Sequence, residues 1–207
     1  MERTRQFVSA TLAGMLIGMG GTVFLAVSNP KLGSFLFAVG LFTIVIFGLH
    51  LFTGKVGYLP MQKPTYLIEL LITWCGNFCG TFLVAKAVQY TRIYENMIER
   101  VQSIAAIKLG DNFVSLFILA IFCGFLMFIA VDTFRNSKGS AVKVIAVFVP
   151  VMVFILSGFE HVIANMFYFS LAGTWSPHTF VALLIMTLGN SFGGMLIPIY
   201  QKVFRLK

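Results

Sequence analysis

Long apolar runs alternate with short polar breaks along this chain, and six of the runs approach the roughly 20 residues that carry a helix across a bilayer. The first spans about Gln6 to Val27 and stops at the turn Ser28-Asn29-Pro30-Lys31. The second opens near Gly33 and reaches His50-Leu51-Phe52-Thr53-Gly54, where Lys55, Gly57, Pro60, Lys63 and Pro64 interrupt it. That pattern fits a helix broken near Thr53 at membrane depth, or an ordinary loop beginning there. Irregular backbone at depth survives only where it lines a cavity or is buried in protein. The third run covers about Tyr66 to Ala87. Tyr90 to Asp111 is polar, and its Glu95, Glu99 and Arg100 predict a short surface helix ending near Lys108. The fourth run covers about Asn112 to Phe134 and leads into the basic turn Arg135-Asn136-Ser137-Lys138-Gly139. The fifth, about Val142 to Ala172, is too long for one straight helix across roughly 30 Å and predicts a break at Gly158. The sixth covers about Thr179 to Val203.

Composition agrees with this pattern. Of 207 residues, 58% are hydrophobic and 11% charged, which predicts an all-α integral membrane protein forming a single transmembrane domain over residues 1–207 in contact with lipid. Arg3 and Arg5 ahead of an apolar run imitate a signal peptide, but the run exceeds an ordinary h-region and reads as the first span. The net charge of +8 informs topology first. With the N-terminus inside, Arg3, Arg5, Lys55, Lys63, Arg135, Lys138, Lys143, Lys202, Arg205 and Lys207 face the cytoplasm. Lys31, Lys86, Arg92, Arg100 and Lys108 face outward. That excess of inner basic residues places both termini in the cytoplasm of a multi-pass protein of the cell (inner or plasma) membrane. No basic stripe with interleaved aromatics is present, so nucleic acid is not an expected partner. Cys75, Cys79 and Cys123 have no metal or redox spacing and read as small packing residues; neither metal nor cofactor is expected. Little chain lies beyond the spans, which speaks against an extensive N-terminal gate.

An internal repeat divides the chain at about residues 1–90 and 108–207. Gly76-Asn77-x-x-Gly80 in the third span matches Gly189-Asn190-x-x-Gly193 in the sixth. Leu51-Phe52-Thr53-Gly54 corresponds in position to Gly158-Phe159-Glu160-His161. Three spans per half require inverted topology, and paired broken helices in inverted halves point to a transport site near the midplane. Gly14-x-x-x-Gly18 in the first span lets a neighbouring helix approach closely.

The candidate chemistry lies in Ser157-Gly158-Phe159-Glu160-His161-Val162-Ile163-Ala164-Asn165-Met166. A carboxylate and an imidazole at membrane depth usually face a bundle interior or a water-filled path. At helical spacing, Gly158, His161 and Asn165 share one face. His50 reads as a structural partner in the broken loop or as a second titratable group. Glu160 reads as pairing with loop backbone or a neighbouring protomer. His178 reads as exposed and Glu69 as interfacial.

This stretch resembles the signature of the formate/nitrite transporter family. Leu51-Phe52-Thr53-Gly54 is similar to the family's motif in its interrupted second helix, and Gly189-Asn190-x-x-Gly193-Gly194 to its last helix. The resemblance implies an aquaporin-like protomer of six transmembrane helices in two inverted three-helix repeats, helices 2 and 5 interrupted, assembled as a homopentamer. Its substrates would be small monovalent weak-acid anions: formate or nitrite first, with hydrosulfide, acetate or lactate as further candidates, together with protons. His161 would be the central pore histidine, Thr53 the loop threonine, and Lys108 the lysine ahead of the fourth span. Leu51 and Phe154 would form constrictions, with Phe37 and Leu41 at apolar pore positions and Asn165 in the substrate pore. Two positions depart from the pattern. His50 stands where an acid is usual, and Gly124 stands where an asparagine often lies near the histidine.

On this reading Lys108 draws the anion in, and His161, whose reference pKa of about 6.5 lies near working pH, shares a proton with it. The apolar ring of Phe154 and Leu51 rejects hydrated ions. Without the resemblance, Lys108 reads as a solvated loop lysine, and Phe154 and Phe37 as packing residues. The alternative is an aquaporin-like channel for small neutral solutes, although no Asn-Pro-Ala pair is present. An intramembrane enzyme is disfavoured by the absence of Gly-x-Ser-x-Gly and of a second histidine one turn from Glu160-His161.

Overall fold

A computed structural model describes residues 1–204, and Arg205 and Lys207 of the expected inner basic set lie outside the described residues. The described residues form helices α1 (Glu2–Ala26), α2 (Pro30–Ile46), α3 (Phe52–Lys55), α4 (Tyr66–Gln89), α5 (Ile98–Leu109), α6 (Phe113–Asn136), α7 (Ser140–Leu156), α8 (Val162–Ala172) and α9 (Pro177–Phe204). A 3₁₀ segment, Val56–Met61, follows α3. Helices α1, α4, α6 and α9 are each long and apolar enough to cross a membrane; α2, α7 and α8 are apolar and shorter.

Local chemistry sets the boundaries. Asn29 caps α2 by accepting from the N–H groups of Lys31 and Leu32, with Pro30 at the first helical position. Asn112 caps α6 through the N–H of Ser115. Gly173 ends α8 in the left-handed region at φ 70°. The expected surface helix is the shorter α5. Its Arg100 covers the end of α1, donating to the carbonyls of Leu25 at 3.1 Å and Val27 at 2.6 Å.

Helix α1 packs along α4, and α6 along α9. A Cβ on Gly80 would overlap the carbonyl oxygen of Thr11, and one on Gly193 that of Ile121. Glycine therefore sets how closely each pair of backbones approaches. Trp74 on α4 donates to Thr187 on α9 at 3.2 Å and ties the pairs together.

The same skeleton occurs twice. After α2 the chain turns through Gly48 at φ 63°, and after α7 through Gly158 at φ 70°; side chains rarely adopt this conformation. Leu49 N–H then bonds Ile44 O, and Phe159 N–H bonds Phe154 O, each at 2.9 Å. From the side, Asn77 of α4 donates to Ala10 O and His50 O and accepts from Phe52 N–H. Asn190 of α9 donates to Ala120 O and Glu160 O and accepts from Val162 N–H. Both asparagines are fully buried. Each anchors on a carbonyl inside α1 or α6 and satisfies two groups that no helix pairs, the carbonyl of His50 or Glu160 and the N–H of Phe52 or Val162; in an apolar interior such groups cost about 1–3 kcal/mol each when orphaned.

These bonds relate Gly48 to Gly158, His50 to Glu160 and Leu51 to His161. The correspondence runs three residues earlier in the first half than the one expected from sequence, which paired Leu51 with Gly158. Thr53, the expected break point, lies inside α3, and the non-helical residues precede it. Gly158 likewise lies outside α8, so Gly158, His161 and Asn165 do not share one helical face. The glycine turns, absorbing the φ > 0 geometry, break the 3.6-residue register.

Candidate functional site

His161 is the first residue of the site because the end of α7 and the start of α8 place it at a turn. It is the N-cap of α8, and its Nδ1 accepts from Ala164 N–H at 3.1 Å. An accepting Nδ1 carries no proton, so the ring is neutral with its proton on Nε2. Nε2 therefore donates to Thr53 Oγ1, 2.9 Å away on α3. The Thr53 hydroxyl, having accepted this bond, keeps its own proton for a further acceptor. His161 and Thr53 are 2% and 1% exposed.

Apolar side chains close around the pair. Phe154 stacks on the imidazole with centroids 5.4 Å apart and planes at 24°. Phe37 meets Phe154 edge-on at 6.1 Å. Leu41 and Leu51 are buried in the same core. Phe154 and His161 meet because the chain turns at Gly158 between the end of α7 and the start of α8.

Two cavities border residues of this cluster. The larger, about 290 Å³, is lined by Phe154, Leu119, Lys108, Glu160, Asn165 and Tyr168 among others. The smaller, about 10 Å³ and barely room for one water, is lined by Leu51, Gly54, Lys55, Val131 and Arg135 among others. His161 and Thr53 belong to neither lining.

Lys108, at the end of α5, is not a free loop charge. Its Nζ lies 2.5 Å from Glu160 Oε2, with the two side chains 14% and 4% exposed. The same carboxylate oxygen accepts from Asn165 Nδ2 at 2.6 Å. Asn165 Nδ2 also lies 3.1 Å from Met186 Sδ, so its amide donors are held within the protein. Asn165 is thus placed to fix Glu160 more than to reach into the cavity.

The two departures from the family pattern have clear places. His50 takes the position in the first half that Glu160 takes in the second. Its Nδ1 lies 2.9 Å from Ser9 Oγ, and Ser9 Oγ also accepts from His50 N–H. It lines a separate cavity with Gln6 and Glu69, away from the His161 pair. Gly124 sits at a helix crossing, where a Cβ would overlap the carbonyl oxygen of Asn190. It makes room for α9 and presents nothing to the imidazole. Sequence reasoning marked Asn77 and Asn190 as a repeat but missed what they hold. It also missed the Lys108–Glu160 pair, whose signal was the single acid in the fifth apolar run.

A family model described as "Formate/nitrite transporter" matches residues 1–203. The chain belongs to the formate/nitrite transporter family. A formate channel of Bacillus thuringiensis is 32% identical, covering 94% of this chain and 87% of the relative. A nitrite transporter of Escherichia coli (strain K12) is 29% identical, covering 91% of this chain and 78% of the relative. Among solved structures, a pentameric formate channel with formate bound superposes with TM-score 0.82 at 23% identity, covering 100% of this chain and 98% of that one. An ion channel of the same family gives 0.85 at 24%, covering 97% and 90%. These likenesses show an all-helical fold shared with solved channels, and the family itself is one of membrane channels and transporters. Such members are channels and transporters rather than enzymes, and the neutral-solute alternative finds no support among them.

Proposed function

We propose that this protein conducts small monovalent weak-acid anions, formate or nitrite first and hydrosulfide next, through a pore centred on His161 and Thr53. The observation that carries this reading is the buried, hydrogen-bonded His161–Thr53 pair, with Phe154 stacked on the imidazole and lining one cavity, Leu51 lining another, and basic side chains in both linings. A bare anion in an apolar plug is prohibitively costly unless donors meet it there. The Thr53 hydroxyl, which keeps its own proton, is such a donor, and the Nε2–H of His161 becomes a second where the anion displaces Thr53 from it; the N-terminus of α8 adds a favourable partial charge at the same point.

The basic groups at either mouth raise the local anion concentration. Lys108 draws in the anion with a field tempered by Glu160, and the ammonium keeps two further protons for a ligand. Proton linkage would run through the same ring. Nδ1 would take a proton from a hydronium ion, releasing Ala164 N–H and a water, and Nε2 would pass its proton to the anion. The neutral acid would then leave, and the ring, neutral with its proton on Nδ1, would return to its starting tautomer by losing that proton to water and regaining one at Nε2.

The membrane arrangement in this reading has six spans: α1, α2 with α3, α4, α6, α7 with α8, and α9. Two inverted halves have both termini cytoplasmic, in a single domain that assembles as a pentamer. The twofold repetition of the Asn77 and Asn190 hydrogen bonds supports inverted halves. The pentameric solved channel supports the assembly. In this orientation the Lys108 cavity is the outer vestibule and the Lys55–Arg135 cavity the inner one.

The test is a proteoliposome flux assay with formate, nitrite, hydrosulfide and glycerol. Anion uptake without glycerol uptake is expected. Glycerol uptake without anion uptake would overturn the reading.

A further inference from the structure

The twofold relation between the halves pairs tyrosines as well as asparagines. Tyr58 follows Gly48 by ten residues and Tyr168 follows Gly158 by ten. In the first half the Tyr58 hydroxyl is taken, donating to Asp132 of α6 at 2.9 Å. The position on α1 that matches Asp132 is Thr22, by the same spacing that relates Ala10 to Ala120. Thr22 donates to Gly18 O of its own helix at 2.9 Å and offers no carboxylate. The Tyr168 ring nonetheless packs against α1 at that point, with its Cε1 3.5 Å from where a Cβ on Gly21 would lie.

The Tyr168 phenol is therefore left without the partner its counterpart has. Among the described residues it has no hydrogen bond, although the residue is only 6% exposed. No side-chain nitrogen or oxygen is both sealed from solvent and unpaired among the described residues. The phenol oxygen is accordingly accessible rather than sealed, and the cavity its residue lines is the 290 Å³ one shared with Lys108 and Glu160. A phenol that pairs with nothing in a confined apolar space is poorly placed unless a ligand or water takes its proton.

We propose that Tyr168 is a selectivity residue of the outer vestibule, donating its phenol proton to one oxygen of a small two-oxygen anion while Lys108 holds the other. Two donors on different elements, α8 and α5, suit an anion with two acceptor atoms. Formate and nitrite have that shape; hydrosulfide, with one acceptor atom, can meet both donors only where they converge on a single point. The vestibule thus reads oxygen count before the anion reaches His161. The inference rests on the anion-pathway reading above.

Tyr168→Phe isolates the donor, because it keeps the ring packing and breaks no hydrogen bond within the protein. The variant and wild type are reconstituted in liposomes, and initial uptake is measured against concentration for formate and for hydrosulfide. A hydrogen bond to a charged ligand corresponds to a change of roughly tenfold or more. The half-saturating formate concentration should rise roughly tenfold, and that of hydrosulfide less than about twofold. An unchanged formate value, or an equal rise for both anions, overturns the proposal. So does a variant that fails to assemble, since the phenol would then be serving the protein itself. A wild type that carries neither anion defeats the pathway reading, and this inference with it; a wild type that carries both leaves the variant to decide.

Discussion

His161 and Thr53, separated by 108 residues in sequence, meet through a 2.9 Å hydrogen bond at the point where two helices begin. The imidazole serves two partners at once, accepting at Nδ1 from Ala164 and donating at Nε2 to Thr53. A proton on Nδ1 would remove the first bond, so charging this ring uncaps α8.

His161→Asn separates the two functions. Asparagine is a good N-cap, so the variant should assemble with stability within about 1 kcal/mol of wild type. It cannot titrate, so the pH profile of formate flux should flatten or its anion selectivity should shift. Wild-type rate and pH profile in an assembled variant would show a passive filter with a structural histidine.

Thr53→Ser and Thr53→Val test the hydroxyl that remains free to donate. Serine should retain most formate flux. Valine, similar in shape, should lose roughly tenfold or more, as expected for one lost hydrogen bond to a charge. Equal flux in the two variants, measured in liposomes at matched protein content, would remove Thr53 from the anion path.

Lys108→Ala leaves the Glu160 carboxylate buried without its cation. Breaking such a pair costs about 3–5 kcal/mol, so the single variant should show a lowered thermal midpoint in detergent. Adding Glu160→Gln should recover much of that loss, because no buried charge is then stranded. Uptake by the double variant should be slower than wild type and less sensitive to ionic strength. A double variant with wild-type uptake and salt response would return Lys108 to a purely structural place.

Asn77→Ala and Asn190→Ala should destabilise to a similar degree, since each removes three hydrogen bonds in the same geometry. At about 1–3 kcal/mol for each orphaned backbone group, both should fall well below Leu→Ala substitutions on exposed faces in thermal midpoint. A large loss in one and none in the other would show that one half folds without its clamp.

Cysteine labelling in intact cells tests the orientation. Single cysteines replacing Arg3, Lys138 and Lys202 should react only after permeabilisation, and those replacing Lys31 and Arg92 before it. Lys138 and Lys202 on opposite sides would overturn an even number of spans with both termini inside.

Much of the helical content was legible because membrane spans announce themselves by composition alone. The glycine turns were only half legible: Gly158 sat inside an overlong run, whereas Gly48 was hidden behind the conspicuous cluster from Thr53 to Pro64. That error shifted the repeat by three residues and placed the first break too late. Phe154 lies on His161, as the resemblance implies for two residues of one pore, but nothing in the sequence joined Lys108 to Glu160. An ion pair across 52 residues depends on where α5 docks, and neither hydropathy nor spacing encodes that docking. Tyr168 carried no signal at all, since an aromatic residue in a span is ordinarily packing.

The asparagine clamps let the centre of this protein vary while its framework stays fixed. Asn77 and Asn190 hold main-chain atoms only, and so place no demand on which side chains follow each glycine turn. Matched positions accordingly carry unlike groups: His50 opposite Glu160, Leu51 opposite His161, Thr53 opposite Ile163 and Lys55 opposite Asn165. Two copies of one scaffold thereby carry unlike chemistry beside their two glycine turns, and a substitution beside one turn leaves the hydrogen bonds that hold the other untouched.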